Sequence, residues 1–188
     1  DYDEALKLKP DDLAALFGRG SSLLRLRKFR PALNDFSRAL AIDPESPQAL
    51  VGRGDVRSEI GLWEEAAEDY RRSIKLSPKL GRAYRGAAWL MATCPEERFR
   101  NADLAIASAR QALALDGNGD YAYLDTLAAA LANAGDFEDA KATQEKAIQI
   151  APDAAASELR SRLTLYRSGQ PFRVTSRTAK GEAAAEAR

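Results

Sequence analysis

Residues 39–44 read Ala-Leu-Ala-Ile-Asp-Pro, and variants of this stretch recur through the first 152 residues. They are Ala-Leu-Lys-Leu-Lys-Pro at 5–10, Ser-Ile-Lys-Leu-Ser-Pro at 73–78, Ala-Leu-Ala-Leu-Asp-Gly at 112–117 and Ala-Ile-Gln-Ile-Ala-Pro at 147–152. The last residues of successive copies lie 34, 34, 39 and 35 residues apart. A period of this length is typical of a helical hairpin that is copied and stacked. The spacing therefore predicts an all-α repeat array, and it favours a binding surface over a catalytic pocket.

Composition limits the kinds of partner. Hydrophobic residues make up 45% of the 188 residues and charged residues 30%, which argues against disorder throughout the chain. The 28 basic and 28 acidic residues cancel, so no net field attracts nucleic acid or an anionic membrane. No apolar run approaches the roughly 18 residues that a membrane span needs. The sequence thus predicts a protein or peptide partner, without nucleic-acid binding or membrane insertion.

The sequence contains few residues that could carry out catalysis. The chain has one cysteine, Cys94, and no histidine. A Cys/His zinc site and a His-based catalytic triad are therefore excluded. Cys94 has no imidazole to activate it, so it is expected to be a buried or half-buried structural thiol. We expect no enzymatic activity, no cofactor and no metal.

Helix-ending residues divide each repeat into two helices. Gly61 and Gly135 fall where a first helix is expected to end, and the aromatic residues Trp63 and Phe137 follow them closely. Glycine accepts the left-handed conformation of a helix C-terminus without steric cost. The proline that closes most copies lacks an N–H and ends the second helix. This punctuation predicts antiparallel helix–turn–helix pairs.

Small, aromatic and proline positions recur together at the same period. In the first full repeat they are Leu16, Gly20, Leu23, Ala32, Phe36, Ala39 and Pro44. Over residues 1–152 this pattern resembles the tetratricopeptide repeat (TPR) family, in particular bacterial arrays. The resemblance implies a right-handed superhelical solenoid of antiparallel helix–turn–helix repeats, in which the first helices line a concave groove. The chain departs from the family at Arg19 and Arg53, where Leu is common, and at Ala109 and Gln144, which replace the second-helix aromatic residue.

The boundaries of the repeats follow from the same period. They are a partial repeat with the second helix only at 1–12, TPR 1 at 13–46, TPR 2 at 47–80, TPR 3 at 81–120 and TPR 4 at 121–152. TPR 3 carries about five extra residues in an extended turn at 94–101, and Asn101 is expected to cap the helix that follows.

The remaining residues are assigned to a C-terminal helix and a tail. Residues 153–170 are predicted to form a capping helix with one apolar stripe, made of Ala156, Leu159, Leu163 and Tyr166. Residues 171–188 are expected to be a mobile tail. Because the chain begins inside a repeat, we expect a piece of a longer or processed protein. Its compartment is unknown, with the cytoplasm slightly favoured.

The resemblance also implies which side chains face the groove, namely those that flank the glycine stripe of each first helix. They are Phe17, Ser21, Arg25, Gln48, Val51, Asp55, Glu59, Arg82, Arg85, Trp89, Asp125 and Asn133. Trp89 and Arg85 are the expected hot spot, since Trp and Arg contribute disproportionately to binding. A core position for Trp89 under the long turn is the alternative.

Three glycines, Gly18, Gly52 and Gly86, occupy equivalent places 34 residues apart. Glycine inside a helix costs about 1 kcal/mol relative to alanine, so a repeated glycine indicates a purpose. One hypothesis is bare backbone that lets a ligand lie close. The other is close packing between neighbouring repeats.

Two functions are consistent with these features. The first is a non-catalytic adapter or scaffold that binds a peptide or helix of a partner in the groove. The alternative is a structural module that self-assembles into a homo-oligomer through the array ends, which light scattering over a concentration series would detect. Binding of acidic chaperone tails is disfavoured, because Phe17, Ser21 and Gly52 stand where that TPR subset carries Lys and Asn.

Overall fold

The structure is a computed structural model that describes residues 2–117 and 119–175. Within these residues the chain is all-α, with ten α-helices, one short 3-10 helix (Glu97–Phe99) and no strand. The α-helices are α1 Tyr2–Leu8, α2 Leu13–Arg25, α3 Phe29–Ile42, α4 Pro47–Glu59, α5 Trp63–Leu76, α6 Gly81–Thr93, α7 Ala102–Asp116, α8 Tyr121–Ala134, α9 Phe137–Ile150 and α10 Asp153–Arg167. The predicted helical repeat architecture is confirmed.

The described chain divides into two compact units. Unit 1 is residues 2–78 and contains α1 to α5, and unit 2 is residues 79–175 and contains α6 to α10. The repeat boundaries predicted above stay a prediction, while α2 and α3 lie within 13–46 and α4 and α5 within 47–80.

Polar side chains start several helices. Asp12 Oδ1 accepts a hydrogen bond from the Ala15 N–H at 2.9 Å, and this contact caps α2. Asn101 Oδ1 accepts from the Leu104 N–H at 3.0 Å, so the cap predicted for α7 is confirmed. Each contact satisfies one of the N–H groups that a helix N-terminus leaves without an intrahelical partner.

The first helices α2, α4 and α8 are each followed by a left-handed residue. Gly61 (φ 82°) and Gly135 (φ 86°) hold this conformation as predicted. In the first repeat the same place is taken by Arg27, with φ 58°, which the sequence did not indicate. The Arg27 guanidinium lies 5.3 Å from the Phe29 ring centroid, a cation–π contact within the same turn.

Aromatic rings of the second helices pack on glycines in unit 1. Phe36 in α3 is fully buried, and its ring lies 3.2 Å from the place where a Cβ on Gly20 would stand. A Cβ on Gly52 in α4 would overlap the same ring, and a Cβ on Gly18 in α2 would overlap the ring of Tyr2 in α1. At Gly18 and Gly52 the glycine stripe therefore serves packing between helices, and the hypothesis of backbone left bare for a ligand is wrong there.

Buried ion pairs connect the two helices of each repeat in unit 1. Arg19 donates to Asp35 through Nε and Nη2, both at 2.7 Å, and Asp35 is 1% exposed. Arg53 donates to Asp69 in the same way, at 2.9 Å and 2.7 Å. A guanidinium that donates two hydrogen bonds to one carboxylate fixes the relative orientation of the two side chains and also neutralises their charges. The departures from the family at Arg19 and Arg53 are thus compensated by an aspartate 16 residues later.

Unit 2 has a core of small residues. Ala92, Ala105, Ala129 and Ala130 are buried together, with Trp89 packed against them. Cys94 is a fully buried free thiol, as predicted, and burial raises the pKa of that thiol. An unactivated, inaccessible thiol is a structural residue rather than a nucleophile.

Helix α10 buries the stripe predicted for it, which consists of Ala156, Leu159, Leu163 and Tyr166. Tyr166 packs against Ala128 and Leu131 of α8 and Ala140 of α9. The α10 helix thus covers the apolar face that α8 and α9 present on this side of unit 2.

Residues 171–175 differ from the prediction of a mobile tail. They return to unit 2, where Phe172 is half-buried against the core and Val174 donates its N–H to the Thr93 carbonyl at 3.0 Å. Hydrogen bonds and aromatic contacts hold these five residues, which we call the returning segment. The rest of the predicted tail, residues 176–188, lies outside the described residues.

Candidate functional site

In unit 1 the candidate partner-binding residues lie on α2 and α4. Arg25 and Gln48 are exposed, whereas Phe17 and Ser21 are half-buried. Phe17 packs edge-on against Phe36 with ring centroids 5.9 Å apart. The Ser21 hydroxyl is buried and has no hydrogen-bond partner among the described residues. Arg25 and Gln48 therefore present a cation and an amide to solvent, and Phe17 presents part of an aromatic ring.

The other three candidates of unit 1 are already engaged. Val51 is 0% exposed, so it has no surface for a partner and we remove it from the candidate surface. Asp55 accepts a hydrogen bond from the Tyr70 hydroxyl at 2.9 Å. Glu59 is exposed and lies 3.3 Å from Arg27, and such surface pairs contribute little to stability.

In unit 2, Arg85 in α6 lies over the Tyr123 ring in α8, with its guanidinium carbon 5.4 Å from the ring centroid. The Tyr123 hydroxyl donates to Asp116. Burial, together with this hydrogen bond, raises the pKa of Tyr123 to about 12. Arg82 is half-buried on the same helix. Arg85 is thus held by a cation–π contact and presents only part of its guanidinium to solvent.

Trp89 is half-buried between two side chains that the sequence did not connect with it. The Phe172 ring of the returning segment lies 5.8 Å from the Trp89 ring, centroid to centroid. The Arg162 guanidinium carbon lies 5.2 Å from the Trp89 centroid and 4.9 Å from the Phe172 centroid. The expected hot spot is therefore covered by the chain itself.

Asp125 is a buried member of a polar network rather than a groove residue. It is 6% exposed, and it accepts from Arg162 Nη1 at 2.9 Å and from Gln144 Nε2 at 2.8 Å. Burial raises the pKa of Asp125, and the Arg162 charge opposes that shift. Gln144, which replaces an aromatic residue, also donates to the Leu159 carbonyl at 3.2 Å. Asp125 thus positions Arg162 beside Trp89.

Asn133 is likewise taken by the returning segment. Its Oδ1 accepts from Arg173 Nη2 at 2.8 Å, and Arg173 Nη1 donates to the Ala92 carbonyl at 3.0 Å. Together with the bond from Val174 to Thr93, these contacts place an extended stretch of chain across α6 and α8. Sequence reasoning missed Arg162, Phe172 and Arg173 entirely. For Phe172 and Arg173 the only signal was an aromatic residue and an arginine directly after the Gly-Gln-Pro that follows α10.

Among residues 2–117 and 119–175, no helix has the length and apolar character needed to cross a bilayer.

Comparison with known proteins identifies the repeat. Residues 17–81 and residues 121–154 each match a tetratricopeptide repeat model, and the two matches together span more than half of the chain. No curated protein sequence matches the chain at a significant level.

Three solved structures illustrate the likeness in fold. A thermophilic TPR protein of Thermus thermophilus aligns with TM-score 0.70 and 22% identity over 89% of this chain and 87% of that one. PilW, a type IV pilus biogenesis factor, aligns with TM-score 0.68 and 18% identity over 84% of this chain and 70% of its own. YrrB, a TPR protein with an unusual peptide-binding site, aligns with TM-score 0.59 and 17% identity over 89% of this chain and 84% of its own. At these identities the likeness concerns the fold alone.

The period of the sequence, the paired helices and the two repeat matches agree with one another. The chain belongs to the tetratricopeptide repeat family, whose members are generally non-catalytic modules for protein–protein interaction or scaffolding.

Proposed function

We propose that the chain is a non-catalytic adapter that binds an extended segment or helix of a partner protein on the faces of its first helices. One observation carries the proposal. In unit 2 the face built from α6, α8 and α10 holds an extended stretch of polypeptide, residues 171–175, by an aromatic contact, side-chain hydrogen bonds and a backbone hydrogen bond. A face that binds a segment of its own chain has the chemistry to bind one from another protein.

Unit 1 supports the same function with a surface that none of the described residues covers. Arg25 and Gln48 are exposed on α2 and α4. Arginine is enriched at binding hot spots, and an exposed amide both donates and accepts hydrogen bonds. The exposed side chains of the first helices in unit 1 carry both signs of charge, at Arg25 and Glu59, and this favours a partner segment of mixed sign over a strongly acidic one.

Site-specific photocrosslinking tests the adapter function. A benzophenone side chain replaces Gln48, exposed on the first helix α4, and in a matched control it replaces Lys75, exposed on the second helix α5. We expect the variant at position 48 to capture a discrete partner protein in source-cell extract and the variant at position 75 to capture none. The same bands from both positions, or no band at position 48, would contradict binding on the first-helix face.

A further inference from the structure

The end of α6 differs from the ends of the other first helices. Each helix leaves its last four carbonyls without an intrahelical donor. After α8 the next turn supplies donors, with Gly135 N–H to Ala132 at 3.1 Å and Asp136 N–H to Leu131 at 3.0 Å. After α6 the extended turn begins with Pro95 one residue past the cap, and proline has no N–H to donate.

Two of the last four carbonyls of α6 are satisfied by the turn. Leu90 accepts from the Cys94 N–H at 3.0 Å, and Met91 accepts from the Asn101 N–H at 3.2 Å. The other two receive their donors from a segment about 80 residues further on, as the Arg173 bond to the Ala92 carbonyl and the Val174 bond to Thr93 show. The insertion in this repeat therefore creates a pair of acceptors. They lie at the negative end of the helix dipole, which favours a cation such as arginine.

An aromatic slot lies beside this acceptor pair. Trp89 forms one wall and the Arg162 guanidinium lies against both Trp89 and the inserted Phe172 ring. Arg162 is held in place by Asp125, which is 6% exposed. Because a buried carboxylate fixes the guanidinium, the slot does not depend on Phe172 for its position.

The chain reaches this face through a tight reversal after α10. Gly169 has φ 70°, and the Gln170 N–H donates to the Leu165 carbonyl at 2.9 Å. This hydrogen bond and the left-handed glycine form a helix C-cap that turns the chain back. Beyond it, Phe172 enters the slot, Arg173 meets Ala92 and Asn133, and Val174 meets Thr93.

We propose that the face formed by α6, α8 and α10 recognises an extended protein segment with an aromatic residue followed by an arginine, and that residues 171–175 are its resident occupant. A partner segment of the same chemistry binds by displacing them. This inference rests on the proposed adapter function and narrows it to one class of partner. A tethered occupant competes with the partner at a high effective concentration. Only chains from which the occupant has detached can bind the partner, so the apparent Kd equals the intrinsic Kd divided by the fraction of such open chains.

The test supplies the segment in trans to the full chain. The probe is a fluorescent heptapeptide, Gly-Gln-Pro-Phe-Arg-Val-Thr, which copies residues 169–175. The control peptide replaces its Phe by Ala and its Arg by Glu. The proteins are the wild type, the opened variant Arg173→Glu, and Arg173→Glu combined with Trp89→Ala. Glutamate at position 173 cannot donate to the Ala92 carbonyl or to Asn133 Oδ1, and the carbonyl oxygens at the end of α6 repel it. We therefore expect the resident segment to detach.

We expect the probe to bind Arg173→Glu at least tenfold more tightly than wild type by fluorescence anisotropy. The added Trp89→Ala change is expected to abolish that gain, and the control peptide to bind none of the three proteins. Equal binding to wild type and Arg173→Glu, absence of binding to Arg173→Glu, or equal binding of the control peptide would each overturn the proposal.

Two measures keep the result decisive. Far-ultraviolet circular dichroism verifies that each variant is helical. If Arg173→Glu does not fold, Arg173→Ala replaces it in the titration. The alanine variant removes the same hydrogen bonds without adding a negative charge. The outcome is also separable from that of the adapter proposal. Probe failure with persistent crosslinking at position 48 rejects only the proposed aromatic–arginine recognition. Probe binding without that crosslink rejects the partner surface on unit 1.

Discussion

At the scale of single residues, Asp35 shows how strongly a buried charge depends on its partner. Asp35 is 1% exposed and receives two hydrogen bonds from Arg19, whose side chain is 27% exposed. Removing one member of such a pair leaves a buried charge unpaired, whereas replacing both by apolar residues removes the desolvation cost as well.

We therefore expect Arg19→Met to destabilise the fold by about 3 kcal/mol, because it leaves the buried Asp35 carboxylate without its guanidinium partner. The double variant Arg19→Met with Asp35→Leu is expected to lie within about 1 kcal/mol of wild type. Urea unfolding followed by circular dichroism gives both free energies. If the single change costs no more than the double one, the buried Asp35 carboxylate does not depend on Arg19.

Tyr123 gives unit 2 a pH dependence at alkaline pH. Burial, and then the hydrogen bond to Asp116, raises the pKa of the Tyr123 phenol from 10.0 to about 12. The folded protein therefore holds this proton more tightly than the unfolded chain. The resulting stabilisation is complete below about pH 10 and is lost as pH rises through about 12.

The difference in tyrosinate absorbance between wild type and Tyr123→Phe isolates this one phenol. We expect its titration midpoint near pH 12, and we expect the variant to lose less stability than wild type between pH 10 and pH 12. A midpoint at 10 would show that the phenol is solvated in the folded protein.

At the scale of elements, the packing of α3 on α4 depends on the Phe36 ring and on the absence of a side chain at Gly52. A Cβ on Gly52 would overlap the Phe36 ring, and Phe36 is 0% exposed, so the ring has no room to move aside. Overpacking of this kind costs about 1 to 3 kcal/mol, and the better helix propensity of alanine offsets about 1 kcal/mol.

Gly52→Ala is therefore expected to destabilise the protein by about 1 kcal/mol net. The control is Gly119→Ala in the turn before α8, because a Cβ at Gly119 meets nothing within 4 Å. Chemical denaturation of the two variants compares them directly. If both variants are equally stable, Gly52 is not required for the packing of α3 on α4.

The sequence predicted elements with a local or periodic signal and missed those held by distant contacts. Gly135 ends α8 as predicted, because the need for a left-handed residue is local. Arg27 meets the same need with φ 58° but has a residue type that does not reveal it. The Arg19–Asp35 pair was detectable in principle, since Arg53 and Asp69 repeat it one period later.

The candidate site was predicted less well for the same reason. The register of the repeats located Trp89 and Asn133 on first helices, yet it gave no sign that Phe172 and Arg173 lie against them. Arg173 reaches Ala92 across 81 residues of sequence, outside any period. Asp125 shares a helix position with groove residues, and its contacts with Gln144 in α9 and Arg162 in α10 make it a buried network residue.

At the scale of the whole molecule, a repeat array is stabilised mainly by contacts between neighbouring helices. Leu159 in α10 is 1% exposed, and its backbone carbonyl accepts from the buried Gln144 of α9. Truncating a buried leucine to alanine costs about 2 to 5 kcal/mol, through lost transfer energy and the cavity that remains. Because each repeat contacts only its neighbours, that loss of stability is expected to be largest in the helices next to the substitution.

Leu159→Ala is therefore expected to accelerate amide hydrogen exchange in α9 and α10 by at least tenfold while exchange in α2 and α3 of unit 1 changes little. The control is Ile150→Ala, because Ile150 is 46% exposed and its truncation opens no cavity. Exchange mapped by mass spectrometry resolves the individual helices. Equal acceleration in all ten described helices would instead mean that the chain unfolds as a single cooperative domain, in which the stability of α10 belongs to the whole array.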